Sequence, residues 1–433
     1  MDILRSNQSS IEESFENQYV TVILGPRRVG KSYFVEKYAQ RHGGRCWVSL
    51  NMDDLVTRER AVAQQLASMI VEVAQQHLGE GKIWVLIDEA QKCPESFEQI
   101  KSLYDLYKGK NKIKFILTGS AILSLHQLTA ESLAGRVELH HFYPFNLRES
   151  TRFSKKNISL NSLLDKISEP DNLSNLIHDI LPWKPLLEEQ LQQQLVWGGF
   201  PEVLACQTSN EKIAYLKNYV QTYLEKDVRA IETITDINLY KNMLDVLAEQ
   251  TGSIRDDQRI VDALRCTRDT LKKYRGYVEA TLLYTDIYPY IGSALKRLVK
   301  SPKGYLLNNG LVSFLTGLTD FTILQKTGLI GHRLENWFLN ELQVWTARVI
   351  ARQQICYWRT TSGVEVDFIV VRKPAVFPFE VTYTPTIENS KIRNLKTFLA
   401  NESKAPWGYY VYRGEFRIDE KNRIIFLPCW AIS

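Results

Sequence analysis

The chain has few cysteines, no long hydrophobic run and little excess charge, and each absence argues against a class of protein. Its six cysteines are scattered over 433 residues without a C-x-x-C pair, so we expect reduced thiols rather than disulfides or a zinc site. No apolar run is long enough to cross a membrane, and residues 1–17 lack the apolar core of a signal peptide. We therefore expect a cytoplasmic protein without a membrane segment.

The rest of the composition is ordinary for a globular protein, with 44% hydrophobic and 24% charged residues. The net charge of +5 permits an anionic partner without requiring one. A chain of this length can form several cores, and we expect about three modules.

The strongest pattern lies near the start of the chain, where an apolar run of strand length ends at Leu24. The next eight residues, Gly-Pro-Arg-Arg-Val-Gly-Lys-Ser, fit G-x-x-x-x-G-K-[ST] and lead into a helical pattern. Glycines allow positive φ, and the loop amides and the helix N-terminus then face an anion. We predict a nucleotide site in which Lys31 reaches the outer phosphates and Ser32 ligates Mg²⁺. The predicted binding residues are Gly25, Pro26, Arg27, Arg28, Val29, Gly30, Lys31, Ser32 and Tyr33.

Strand-like runs alternate with helical patterns over residues 1–150, which predicts an α/β domain with a parallel sheet covered on both faces. The third run, Ile83-Trp-Val-Leu-Ile-Asp-Glu, ends in two adjacent carboxylates. We predict that Asp88 holds Mg²⁺ and that Glu89 orients the attacking water or accepts its proton.

Two further sets of residues in this domain could act in catalysis, and each has a second interpretation. Ser120 or Thr118, at the end of the fourth run, could hydrogen-bond the water or the γ-phosphate, and a strand-end turn explains them equally well. Arg136 could reach the γ-phosphate of its own site or of a neighbouring subunit. A plain surface arginine is the competing interpretation.

The middle of the chain has the pattern of a winged helix-turn-helix. A long helix is predicted over Glu211–Thr233, and the motif itself over 256–299, with its second helix at 268–278. Residues 255–303 contain eleven basic and six acidic side chains, which suits contact with the phosphates of a DNA duplex. The alternative is an internal packing unit with a solvated basic face. The predicted DNA-binding residues are Arg268, Lys272, Lys273, Arg275, Lys296 and Arg297, and Lys300 and Lys303 add to the basic wing.

The C-terminal pattern is helix, three strands, helix and strand, and it resembles the restriction-endonuclease-like core. That resemblance implies metal chemistry on Glu335, Asp367 and Glu380, with a lysine two residues after the last acid. Position 382 is Thr instead, although Lys391 could swing in from the next helix. We expect a degenerate nuclease site in a domain kept for binding or assembly.

Taken together, these motifs resemble a prokaryotic AAA+-type P-loop ATPase family with a winged-helix region and a C-terminal restriction-endonuclease-like, PD-(D/E)xK, domain. The resemblance also rests on Gly135-Arg136, Gly198-Gly-Phe-Pro-Glu and Leu306-Leu-Asn-Asn-Gly-Leu. It implies that Lys31, Ser32, Asp88 and Glu89 bind and hydrolyse ATP. It also implies that Ser120 is the sensor and Arg136 the arginine finger.

These inferences define four predicted domains, at 1–150 (AAA+-like ATPase), 151–210 (helical lid), 211–325 (helical and winged-helix) and 328–433 (nuclease-like). The predicted protein is a Mg²⁺-dependent ATPase, a homo-oligomer that uses hydrolysis to switch its domains, acting on double-stranded DNA. The alternatives are an ATP-gated metal nuclease and an ATP-driven switch or scaffold with a protein partner.

Overall fold

The computed structural model describes residues 5–43, 45–75, 82–107, 112–120, 132–154, 162–222, 236–291, 300–348 and 353–432. The chain divides into two compact units, residues 1–143 with 280–282, and residues 144–279 with 283–433. A search of the described helices finds none with the length and apolarity of a membrane span.

The first unit is built on a five-stranded parallel sheet with the strand order β2-β3-β4-β1-β5. The strands are β1 (Val20–Leu24), β2 (Cys46–Asn51), β3 (Ile83–Asp88), β4 (Ile113–Gly119) and β5 (Val137–His141). The helices are α1 (Gln8–Glu16), α2 (Lys31–Arg41), α3 (Leu55–Val62), α4 (Leu66–Gln75) and α5 (Ser96–Tyr107). The predicted α/β class and the parallel sheet are confirmed.

The sheet is covered on both faces because alternate residues of its strands face different helices. All five residues of β1 are buried. Val20, Val22 and Leu24 belong to the core that includes α4 and α5. The intervening Thr21 lies against α1, where its hydroxyl is 3.1 Å from that of Ser14.

The second unit begins with helices and contains a six-stranded mixed sheet. Its first helices are α6 (Leu147–Ser154), α7 (Pro170–Ile180), α8 (Lys184–Trp197), α9 (Pro201–Ala205), α10 (Ser209–Thr222) and α11 (Ile237–Glu249). The helix predicted over Glu211–Thr233 corresponds to α10, and the part of that prediction after Thr222 lies outside the described residues.

A helical pair and a short hairpin follow. They are α12 (Asp257–Leu264), α13 (Arg268–Ala280), β6 (Tyr284–Ile287) and β7 (Lys303–Leu306). Arg265 ends α12 with φ of 51°, a left-handed conformation that turns the chain into α13. The two strands are antiparallel, with Tyr284 opposite Leu306. This segment therefore consists of two helices followed by a two-stranded antiparallel hairpin.

The six-stranded sheet has the order β12-β13-β11-β10-β9-β8. Its elements, with the helices before and within it, are α14 (Asn309–Thr316), α15 (Phe321–Lys326), α16 (Ile330–Thr346), β8 (Gln354–Arg359), β9 (Glu365–Arg372), β10 (Ala375–Val381), α17 (Asn389–Asn401), β11 (Gly408–Tyr412), β12 (Arg417–Asp419) and β13 (Ile424–Pro428). Helix α16 packs on one face, where Phe338 contacts the rings of Phe368 and Phe379.

Two of the weaker sequence motifs have a structural role in this unit. Asn308 caps α14 by accepting hydrogen bonds from the N–H groups of Gly310 and Leu311 at 2.8 and 3.3 Å. Gly198 has φ of +69°, and a Cβ there would lie 2.2 Å from the Asn308 side chain. The Gly198 and Leu306 motifs therefore stabilise the packing of α8 against α14.

Candidate functional site

The loop after β1 has a backbone shape that its sequence explains. A Cβ on Gly25 would lie 2.3 Å from the carbonyl oxygen of Phe142, so only glycine fits there. Arg28 and Gly30 have φ of 62° and 93°, which turns the chain sharply before α2 begins. The loop therefore wraps around the N-terminus of α2, the geometry that presents N–H groups to an anion.

The ammonium group of Lys31 lies inside this loop. It donates hydrogen bonds to the carbonyl oxygens of Gly25 at 2.8 Å and Pro26 at 2.9 Å, and the side chain is only 5% exposed. A cation held at the loop mouth in this way can exchange its carbonyl partners for phosphate oxygens.

Asp88 is brought to the loop by the strand order. Because β4 lies between β1 and β3, the carboxyl ends of all three parallel strands meet at one edge. Ser32 Oγ donates to Asp88 Oδ1 at 2.8 Å, and the hydroxyl of Thr118, on the intervening strand, donates to the same oxygen. The structure thus joins three residues that the sequence placed on three separate elements.

Glu89 directly follows Asp88 and has φ of 52°, an uncommon value for a residue with a side chain. Its Oε2 accepts a hydrogen bond from Ser120 Oγ at 3.2 Å and from Gln91 Nε2 at 2.6 Å. The Gln91 amide is also 3.3 Å from Ser120 Oγ. Sequence reasoning missed Gln91, although its place three residues after Asp88, in Asp-Glu-Ala-Gln, was an available signal.

Arg136 lies at the opposite edge of the sheet. Val137, the next residue, pairs with Val20 at the start of β1, whereas His141 pairs with Leu24 next to the loop. The guanidinium group forms a two-pronged ion pair with Asp105, with both hydrogen bonds at 2.9 Å. The idea that Arg136 reaches the phosphate of its own site is therefore wrong, because the length of the sheet separates them.

The predicted DNA-binding residues fall into three groups. Arg268, Lys272 and Lys273 are exposed on α13, with the guanidinium group of Arg268 donating to Gln258 Oε1 at 2.5 and 3.1 Å. Lys296 and Arg297 lie outside the described residues. Arg275 is 5% exposed and donates to Asp257 at 2.7 Å. The prediction that it faces DNA is therefore wrong, because a buried side chain cannot reach a duplex.

Lys303, expected on the basic wing, is also buried, at 4% exposure. Its ammonium group pairs with Glu365 and lies 3.9 Å from Asp367 Oδ1. Lys303 is withheld from solvent for the same physical reason as Arg275, since each cation is buried against a carboxylate of another element and stabilises the fold there.

The C-terminal acids surround a lysine. Lys391 Nζ, on α17, is 2.8 Å from Asp367 Oδ2 and 2.8 Å from Glu380 Oε2. Asn394 donates to the other oxygen of Glu380 at 3.1 Å. Thr382, where the lysine was expected, donates its hydroxyl to Glu388 at 2.5 Å. Lys391 therefore supplies the ammonium group that position 382 lacks.

The charges in this cluster shift one another strongly. Burial, reinforced by the Asp367 carboxylate, raises the pKa of Glu335 to about 8 and raises the pKa of Glu380 well above its ordinary value. Burial would also raise the pKa of Asp367, but Lys391 and Lys303 outweigh it and hold this pKa below its usual range. In the described part of the chain, no three His, Cys, Asp or Glu side chains are grouped to hold a metal ion.

Comparison with known proteins gives the class of the first unit. Residues 17–151 match the AAA domain family. Together with the loop after β1 and the position of Asp88 beside it, this match supports a P-loop ATPase of the AAA type. Residues 188–322 and 330–432 match two domains of unknown function, DUF8612 and DUF4143.

Curated relatives extend over most of the chain. An uncharacterized protein of Mycobacterium tuberculosis is 23% identical over 426 residues, covering 98% of this chain and 83% of the relative. An uncharacterized protein of Methanocaldococcus jannaschii is 22% identical over 356 residues, covering 81% of this chain and 72% of the relative.

Solved structures show weaker likeness. The Walker-type ATPase of Pyrococcus abyssi has a TM-score of 0.48 at 16% identity, covering 72% of this chain and 96% of that one. The Orc1 protein of Aeropyrum pernix in complex with DNA has a TM-score of 0.29 at 10% identity, covering 75% of this chain and 95% of that one. These scores are too low to define the fold, which rests on the strand order itself.

Proposed function

We propose that this protein is a Mg²⁺-dependent ATPase in which residues 1–150 form the nucleotide domain. The observation that carries the proposal is the 2.8 Å hydrogen bond between Ser32 and Asp88 beside the phosphate-binding loop. A hydroxyl and a carboxylate at one point are the oxygen ligands that Mg²⁺ prefers, and they lie next to a loop shaped for phosphates. The donor set therefore fits a magnesium–nucleotide complex.

Each residue of the site has a distinct role in this proposal. Lys31 neutralises charge on the outer phosphates, and Ser32 and Asp88 hold the magnesium ion. When bound, that ion neutralises charge that develops on the β- and γ-phosphates. Glu89 orients the attacking water and accepts its proton, and Ser120 holds Glu89 from the neighbouring strand.

Two substitutions separate binding from chemistry. Lys31→Ala should abolish the calorimetric heat of ATP binding in the presence of Mg²⁺, because the loop loses its cation. Glu89→Gln should bind ATP normally and stop turnover, because only the proton acceptor changes. Lys37→Ala is the matched control, since this lysine lies on the same helix and donates to Gln40. Unchanged turnover in Glu89→Gln would remove Glu89 from the mechanism.

We propose further that the protein works as a homo-oligomer in which Arg136 serves the site of a neighbouring subunit. Its position at the amino edge of the sheet supports this, because the strands separate it from the loop of its own subunit. Mixing Arg136→Ala with Glu89→Gln protein should restore part of the activity, since mixed interfaces then contain one intact pair. Absence of rescue in mixtures shown to exchange subunits would argue against action across subunits.

We propose that the remaining domains, 151–210 as lid, 211–325 as winged helix and 328–433 as nuclease-like domain, respond to the nucleotide state and act on double-stranded DNA. The exposure of Arg268, Lys272 and Lys273 on one helix supports the DNA partner. Substituting Lys272 and Lys273 by Ala should weaken duplex binding and lower the salt slope of log K by about 2. Duplex binding that is absent, or that does not change with salt concentration, would favour a protein partner instead.

A second candidate function is an ATP-gated metal nuclease, and the position of Lys391 between Asp367 and Glu380 favours it. In this candidate Asp367 and Glu380 would hold the metal, and Lys391 would position water. Incubation of the protein with linear duplex, ATP and Mg²⁺ or Mn²⁺ tests it. Cleavage should disappear in Asp367→Asn and persist in Asp419→Asn, whose partner is the nearby Asn422. DNA left intact by the unaltered protein would dismiss this candidate.

A further inference from the structure

Gln91 lies beside the proposed catalytic carboxylate and has no assigned role. Its amide nitrogen donates to Glu89 Oε2 at 2.6 Å and lies 3.3 Å from Ser120 Oγ. Its amide oxygen is buried and has no hydrogen-bond partner within the described residues. A buried acceptor without a protein partner is uncommon in folded proteins, and such atoms are satisfied by an ordered water or by a ligand group.

We propose that Gln91 positions Glu89 for attack and that its amide oxygen is the second acceptor for the attacking water. This inference rests on the proposed ATPase function. The orientation of the amide follows from charge, because a carboxylate accepts hydrogen bonds and so faces the NH₂ group. The amide oxygen then faces away from this hydrogen bond, where it can accept a hydrogen bond from one O–H of a water whose other O–H donates to Glu89.

The proposed step balances with the residues named. The water oxygen forms a bond to the γ-phosphorus, and the bond from that phosphorus to the β,γ-bridging oxygen breaks. The bridging oxygen leaves with the electron pair on ADP, and the water proton passes to Glu89. Gln91 exchanges no proton, so its contribution is to fix the carboxylate and the nucleophile in one arrangement.

A purely structural role for Gln91 is disfavoured because other contacts hold its turn. The short helix Ala90–Lys92 is closed by the hydrogen bond from Lys92 N to Glu89 O at 2.9 Å. Cys93 N donates to Ala90 O at 3.1 Å, and the Lys92 ammonium pairs with Asp53. The side-chain amide of Gln91 is therefore free to act on Glu89 and Ser120 without being needed to fold the segment.

The test compares Gln91→Met with Gln99→Met in the full-length protein, measuring kcat and KM for ATP. Methionine keeps the size of glutamine and removes both its donor and its acceptor. We expect Gln91→Met to lower kcat by about 100-fold with little change in KM, because only the attack geometry suffers. Gln99 is a matched control whose amide bonds Leu66 N and Ala61 O at 2.9 and 2.6 Å. We expect Gln99→Met to lower stability and to leave kcat near that of the unaltered protein.

A double variant distinguishes positioning from general damage. If Gln91 acts through Glu89, Gln91→Met should reduce the residual rate of Glu89→Gln no further, because residues of one unit are not additive. A full additional loss in that background would overturn the proposal. If Gln91→Met fails to fold, Gln91→Asn keeps the amide but draws it back by one methylene, and it should show the same loss of kcat.

The outcomes also separate this inference from the function on which it rests. Gln91→Met and Gln91→Asn with unaltered kcat, alongside an inactive Glu89→Gln, would overturn the role of Gln91 and leave the ATPase intact. An unaltered protein that binds ATP and never turns it over would remove both.

Discussion

Two carboxylate centres in the described part of the chain have hydrogen-bond partners of different kinds. At the first, Asp88 and Glu89 receive hydrogen bonds from the hydroxyls of Ser32 and Ser120 and from the amide of Gln91. At the second, Asp367 and Glu380 share the ammonium group of Lys391 at 2.8 Å from each. One centre has neutral donors around its acids, and the other has a cation built into the fold.

This difference separates a centre suited to an incoming cation from one that already has its own. Neutral donors fix the direction of the first carboxylates without cancelling their charge, so a divalent ion can still bind with a nucleotide. At the second centre, the lysines offset much of the penalty of burying the acids. A metal would there have to compete with Lys391 for Asp367 and Glu380. We therefore expect the first centre to bind a divalent ion together with a nucleotide. We expect the stability of the second centre to depend on its lysines.

The largest change in stability is predicted for a substitution in the second centre. Lys391→Met leaves Asp367 and Glu380 buried without their common cation, and should lower the free energy of unfolding by about 3–5 kcal/mol. Urea unfolding measures it. Lys396→Met, at an exposed position of the same helix, should change the unfolding free energy little. Equal stability of the two variants would mean that Lys391 is not needed to balance the cluster.

A smaller effect should appear in the pH dependence of the same centre. The pKa of Glu335 is raised from 4.5 to about 8, so between these values the folded state binds more protons than the unfolded state. Stability should accordingly fall as pH rises through this window. Glu335→Gln removes the titrating group, and unfolding free energies measured from pH 5 to pH 8 should fall less steeply than in the unaltered protein. Identical slopes would show that Glu335 does not titrate in this range.

The smallest stability effect is predicted at the first centre. The Lys31 ammonium group donates to the carbonyl oxygens of Gly25 and Pro26, which water can reach once the side chain is shortened. Lys31→Ala should therefore change the free energy of unfolding by only about 1 kcal/mol, the value of a typical hydrogen bond. The same variant should lose ATP binding. A loss of stability as large as that of Lys391→Met would remove the contrast between the two centres.

Predictions from the sequence succeeded where the signal was local. The loop from Gly25 to Ser32 and the acids after β3 are contiguous patterns, and the strands near them were placed within a residue or two. The misjudged residues were cations whose partners lie on other elements of the structure. Lys303 meets Glu365, and Arg275 meets Asp257 on another helix. Their charge was visible, but a sequence does not state whether a charged side chain faces water or the carboxylate of another element.

The sequence alone determined that a phosphate-binding loop follows a buried strand, because glycine, lysine and serine at fixed spacing dictate that backbone. It also determined which carboxylates end the neighbouring strand. Only the tertiary structure decided that Arg136 lies at the far edge of the sheet, that the Lys391 ammonium group lies between Asp367 and Glu380, and that Gln91 contacts Glu89. The first two facts arise from packing between segments distant in the chain. The contact between Gln91 and Glu89, only two residues apart, depends on the left-handed backbone at Glu89 and on the directions of the two side chains.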